Sequence, residues 1–142
     1  MNWLEGMALL RLVGLIAILG WLVFGSTSYI DNIRRSRFKN RPPLADDLFY
    51  ERYYGSSGLQ KSKVIDIRHE IEAALNLKPE TILPSDRFSE ELSAVRGWEY
   101  GGDRNDELYF LNRDREKRLG VKIPLAKIKT ADDYIRTIVK YV

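Results

Sequence analysis

Residues 62–77, SKVIDIRHEIEAALNL, carry the clearest periodicity in the chain and decide its fold class. Val64, Ile67, Ile71, Ala74 and Leu75 recur at steps of three and four, while Lys63, Asp66, Glu70 and Glu72 fall elsewhere. That spacing lines one face of a helix and not one face of a strand, whose side chains alternate. Ser62 is the expected N-cap. The helix is expected to stop near Asn76 or Leu77, ahead of Lys78 and Pro79, because the helical region is disfavoured before a proline. His69, the single histidine, lies off the apolar stripe. A general base or metal ligand needs a partner group held beside it, so His69 reads as a surface residue.

Toward the C-terminus a mixed polar stretch runs to Ser93, interrupted by Pro84, with Ile82, Phe88 and Leu92 as its apolar anchors. It reads as a long loop pinned at intervals. Gly97 to Asp103, GWEYGGD, is loop by composition; its two large aromatics either fill the core or form an exposed contact. A second helix is expected to begin at Asp103 or Asn105, either of which can cap it. Leu108, Leu111 and Leu119 are assigned to its buried stripe with Arg115 between them, and Arg113, Arg115, Lys117 and Arg118 crowd its last turns, where cations suit the helix dipole. Gly120 is the natural residue to end it. Val121 to Pro124 reads as extended, Ala126 to Lys129 as a short helical turn, and Thr130 to Asp133 as a near capping box opening a last helix. Tyr134, Ile135, Ile138, Val139 and Val142 form that helix's apolar face.

Toward the N-terminus, Gly55-Ser56-Ser57-Gly58 breaks the chain. Before it, Leu44 to Tyr54 gathers Phe49, Tyr50, Tyr53 and Tyr54, expected to pack on the domain that follows because buried aromatics gain most from a core. Arg41-Pro42-Pro43 starts this linker and closes a basic collar of Arg34, Arg35, Arg37, Lys39 and Arg41. Leu12 to Ile30, LVGLIAILGWLVFGSTSYI, has no charged residue, and as a helix it would cover roughly 28 Å, close to a bilayer's hydrocarbon thickness. It reads as a single transmembrane helix, with Trp3, Trp21 and Tyr29 suited to the two interfaces and Arg11 able to reach back to head groups. The collar follows the apolar run instead of preceding it, which argues for an anchor with its C-terminal domain in the cytoplasm and against a signal peptide cut near Ser26 or Ser28. The expected organisation is an anchor over residues 1–30, with the span at about 12–30; a collar and aromatic linker over 31–60; and a helical domain over 61–142.

Composition narrows the function. The formal charge of +3 is concentrated in the collar, so that by subtraction Leu44 to Val142 is close to neutral. A nearly neutral domain on a basic collar is no nucleic-acid-binding module, and the collar cations are candidates for lipid head groups. The absence of cysteine removes disulfides, thiolate metal sites and thiol nucleophiles. No P-loop, dinucleotide fingerprint or nucleophile elbow occurs. Asp103, Asp106 and Glu107 lack the ligand spacing, central Gly and closing Glu of a calcium loop. No metal or cofactor is therefore expected.

Three local patterns carry a family resemblance. Pro84-Ser85-Asp86-Arg87-Phe88-Ser89-Glu90-Glu91-Leu92 resembles the P-x-D-x-F-x-E-D-L loop of acyl carrier proteins, Leu119-Gly120-Val121-Lys122-Ile123-Pro124 their F-G-I-x-I-P, and Ile128 to Ile135 the I-x-T-V-x-D-x-I that opens their last helix. The resemblance covers about Ser62 to Val142 and implies a mainly α fold, a small three- or four-helix bundle behind the transmembrane helix. It fails at the modified serine. Carriers attach phosphopantetheine to a D-S-L serine at the start of the second helix, whereas this chain has the extra stretch Ser93 to Gly102 and then Asp103-Arg104-Asn105-Asp106-Glu107-Leu108. Ser93 is the one remaining candidate, without the flanking acid and leucine. Carriers also present an acidic second helix, and this one is basic at its end. The combination resembles membrane-anchored bacterial proteins with a serine-less carrier-like domain.

The resulting expectation is a non-enzymatic, membrane-tethered interaction module, single-pass in the inner or plasma membrane. It would bind an acidic protein surface through Arg113, Lys117, Arg118, Trp98 and Tyr100. The alternatives are a phosphopantetheine-bearing carrier modified at Ser93 and a module that binds anionic lipid through the collar.

Overall fold

A computed structural model describes residues 13–20, 31–93 and 106–142. Residues 13–20 are helical, as are residues 31–38 (α1). They are followed by α2 (Asp46–Tyr53), α3 (Lys61–Ala74), α4 (Asp106–Leu119) and α5 (Ala131–Ile138). Short 3-10 turns at Leu125–Lys127 and Val139–Tyr141 flank α5. The fold is mainly helical, and the described residues form no strand, only an isolated antiparallel bridge between Arg87 and Thr130.

The amphipathic stretch quoted first becomes the central helix. The inward face of α3, Val64, Ile67 and Ile71, is buried, and α2, α4 and α5 all pack against it. The helix starts two residues earlier than Ser62 as N-cap suggests, with Gln60 as N-cap and no side-chain cap. It ends at Ala74, where Asn76 turns left-handed at φ 54 and the Leu77 N–H reaches back to the Glu72 carbonyl at 2.8 Å. Asparagine tolerates that conformation, and the bond serves a carbonyl that the helix end leaves unsatisfied. α4 ends in the same way, on Gly120 at φ 67 with the Val121 N–H bonded to the Glu116 carbonyl.

The expected capping box of α5 is present. The Thr130 hydroxyl accepts from the Asp133 N–H at 3.1 Å, and the Asp133 carboxylate accepts from the Thr130 N–H at 3.0 Å. The pinned loop lies along the entry to α5: Phe88 N–H donates to Lys129 O, Ala131 N–H to Asp86 O and Asp132 N–H to Pro84 O, all within 3.0 Å. Ile82, Phe88 and Leu92 are fully buried, as their spacing required.

The core extends N-terminal of residue 61. Phe49 and Tyr54 on and after α2 are fully buried, and Phe38 at the end of α1 is 4% exposed. No helix among the described residues is long and apolar enough to cross a membrane. Most of the expected span, residue 12 and residues 21–30, lies outside the described residues, as do Trp3, Trp21, Tyr29 and Arg11. Within helical residues 13–20, Val13, Leu15, Ile16, Ile18 and Leu19 are all more than half exposed.

Candidate partner-binding surface

α4 carries the expected partner-binding cations, and its two faces differ from the assignment made on sequence. Leu108 is buried, but Leu111 and Leu119 are exposed. The residues that turn inward with Leu108 are Asn112 and Arg115, at helical steps of four and three. The expected leucine stripe is therefore replaced by a polar one, because Glu70 on α3 and Tyr134 on α5 supply partners at that position. Arg115 donates to Glu70 at 2.8 Å and to the Asn112 side-chain oxygen at 2.7 Å. The Asn112 amide donates to the Tyr134 hydroxyl at 3.0 Å, and that hydroxyl donates to Glu70 at 2.6 Å. Burial works against the Arg115 charge, but the bond to Glu70 and its charge outweigh it and raise the pKa.

With that face committed, the opposite face is free to project. Phe110 is 62% exposed and meets Tyr109 edge-on at 5.7 Å between ring centroids. Arg113 and Lys117 follow Phe110 at three and seven residues, on the same side of the helix. Arg113 is paired with Glu116 at 3.1 Å. Lys117 and Arg118 are exposed and have no ion-pair partner among the described residues. Beside this stripe Leu111, Asp114, Arg115, Lys117 and Arg118 line an open depression of about 490 Å³. Three of the five expected partner contacts thus share one helix end. Trp98 and Tyr100 lie outside the described residues, as do the expected caps Asp103 and Asn105.

A second buried network ties the aromatic linker to the bundle. Arg68 is 0% exposed; it donates to the Leu44 carbonyl at 2.9 Å and the Asp46 carboxylate at 2.8 Å, with its guanidinium 4.0 Å from the Phe49 ring centroid. One turn on, Glu72 accepts the backbone N–H groups of Thr81 and Ile82 at 2.9 and 3.2 Å. Burial pushes the Glu72 carboxyl above its ordinary range despite these bonds and the Arg68 charge. Burial also raises the Tyr54 hydroxyl, which donates to Asp132. His69 lies on the surface, with Nε2 3.0 Å from Asp46.

The collar cations expected at lipid head groups turn mostly to the protein. Arg34, Arg35, Arg37 and Arg41 all donate to backbone carbonyls of the bundle. Lys39 is exposed. Ser93 is 4% exposed and its carbonyl accepts from Arg37; the stretch that follows it, residues 94–105, lies outside the described residues.

Sequence reasoning missed Tyr109, Phe110, Arg68 and the Asn112 and Arg115 pair. A signal was available for α4: within its first ten residues the apolar positions Leu108, Tyr109, Phe110 and Leu111 are consecutive, so no single face could bury them all. No family model, no curated protein and no solved structure matches the chain.

Proposed function

We propose that the protein is a membrane-tethered, non-enzymatic interaction module. The outer face of α4 would receive a partner segment that is both acidic and apolar. The observation that carries this reading is the pairing of a largely exposed Phe110 with the unneutralised cations Lys117 and Arg118 on one helix. An aromatic anchor beside cations suits an amphipathic acidic segment: the ring supplies buried area, and the charges steer and select. The opposite face of α4 is held by Glu70, Asn112 and Tyr134, so docking requires no rearrangement of the bundle.

The anchor belongs to the same proposal. Leu12 to Ile30 has the length and apolarity of a span, and the exposed side chains of helical residues 13–20 suit lipid. The collar then puts the bundle on the cytoplasmic side of an inner or plasma membrane. The carrier-like reading of residues 62–142 is supported by the bonds joining the Pro84 to Phe88 segment to Lys129, Ala131 and Asp132, which bring two of the family-like patterns together. It supplies an ancestry for the bundle and no prosthetic group.

A photo-crosslinking side chain at Phe110, in the full chain in its native membrane, tests the surface, with the same label at exposed Leu48 on α2 as control. The expected result is an adduct with an acidic protein from position 110 and none from 48. Lys117→Glu with Arg118→Glu should reduce the adduct roughly tenfold without changing the unfolding midpoint. An equal yield from both positions, or a yield indifferent to charge reversal, overturns the reading.

A further inference from the structure

All four arginines of the collar are bonded to the bundle. Arg34 donates to the Leu75 carbonyl at 3.1 Å and Arg35 to the Asn76 carbonyl at 3.0 Å, where the end of α3 leaves acceptors unsatisfied and favours positive charge. Asp31 accepts from the Asn76 amide at 3.2 Å. On the next turn Arg37 donates to the carbonyls of Glu90 and Ser93, both at 2.5 Å. Arg41 reaches the Thr81 carbonyl at 3.2 Å and the buried Asp86 carboxylate at 2.5 Å. Phe38, between these arginines, belongs to the core and lies 4.6 Å under the Arg41 guanidinium. A tether that only fixed topology would have no reason to place a phenylalanine in the core or to match four arginines to three separate places in the fold.

We propose that residues 31–41 are a rigid strut, in which Arg34, Arg35, Arg37 and Arg41 act as positioning residues that hold α1 and the segment after it in one orientation on the bundle. The helical backbone of α1 is one arm, and Pro42 and Pro43 stiffen the exit. Beyond them the Leu44 N–H is bonded to the Glu80 carbonyl at 2.8 Å, so the path from α1 to α2 is held at both ends. The strut itself needs no membrane. Its consequence rests on the anchor reading: the collar arginines are then already engaged when lipid head groups compete for them.

The absence of cysteine allows two spin labels to be placed without background, at exposed Asn32 and Lys140 in the full chain. In detergent and in lipid nanodiscs, pulsed dipolar spectroscopy should give one narrow distance distribution. Arg37→Gln with Arg41→Gln should broaden it, and Lys39→Gln should leave it unchanged. Arg35→Gln, at an exposed side chain, should broaden it in the same direction if the double variant fails to fold. A wild-type distribution as broad as a variant's, or variants as narrow as wild type, overturns the strut. Trypsin gives an independent readout: the bonds after Arg34, Arg35, Arg37 and Lys39 should be cut roughly tenfold or more slowly than in a free peptide of residues 31–45. Equal rates overturn the proposal. Flotation of the full chain with vesicles reports on the anchor separately, so its failure would remove the membrane consequence and leave the strut standing.

Discussion

Glu72 shows how one side chain can be both structural support and liability. It is nearly fully buried, accepts two backbone N–H groups, and lies 3.6 Å from the Arg68 Nε. Its carboxyl pKa is raised by burial, with the hydrogen bonds and Arg68 pulling the other way. A folded-state value above the unfolded one means that this group's contribution to stability is full below the unfolded value and is lost as pH rises through the folded value. Glu72→Gln keeps an oxygen for Thr81 and Ile82 and removes the charge. Its unfolding free energy relative to wild type should therefore move in the stabilising direction as pH is raised from the acid side of the ordinary glutamate value to neutrality. Urea titrations at the two ends check this, and movement in the opposite direction would contradict it. Little of this was legible beforehand. Glu72 stands off the apolar stripe of α3 and looks like a solvent residue until the chain of Thr81 and Ile82 is laid across it.

At the scale of the element, α4 is held to the bundle by hydrogen bonds more than by apolar burial. Leu108 is its one fully buried apolar side chain among the described residues, and the rest of its inward face is Asn112 and Arg115. Arg115→Met removes the ion pair with Glu70 and the bond to the Asn112 side-chain oxygen, and leaves Glu70 facing Tyr134. Because Glu70 is about one-fifth exposed, the expected cost is about 2–3 kcal/mol, below that of breaking a wholly buried pair. Urea unfolding measures it. Combining Arg115→Met with Glu70→Gln should cost less than the sum of the two single changes, because both act on the same bonds. The basic end of α4 and its terminating Gly120 were readable from residue order alone, since capping and dipole effects are local. Which side faces inward was not readable, because the answer depends on Glu70 and Tyr134, residues distant in sequence.

For the whole molecule, the core takes in residues of the expected collar and linker. Phe38, Phe49 and Tyr54 join the same core as Ile67, Ile71 and Ile138. Phe38→Ala should therefore destabilise the bundle by about 3–4 kcal/mol, the cost of emptying a buried phenylalanine site. A thermal or urea unfolding curve unchanged by the substitution would show the segment to be a dispensable tether. The same substitution should also loosen the strut, since Phe38 is the apolar pin between Arg34 and Arg41.

Helices α3, α4 and α5, the capping box at Thr130, the anchors Ile82, Phe88 and Leu92 and the aromatic packing of Phe49 and Tyr54 were determined by the sequence itself. Each depends on a period, a cap or a burial preference that acts over a few residues. The tertiary structure alone decided the fate of the charges. Arg34, Arg37 and Arg41 read as a positive cluster beside a membrane, yet in the fold each meets a carbonyl or carboxylate more than forty residues away or close to it. Arg68, Glu72 and Arg115 are likewise buried in networks whose partners lie elsewhere in the chain. A charged side chain takes its role from the partner that folding brings to it, and that partner is not encoded in its neighbours along the chain.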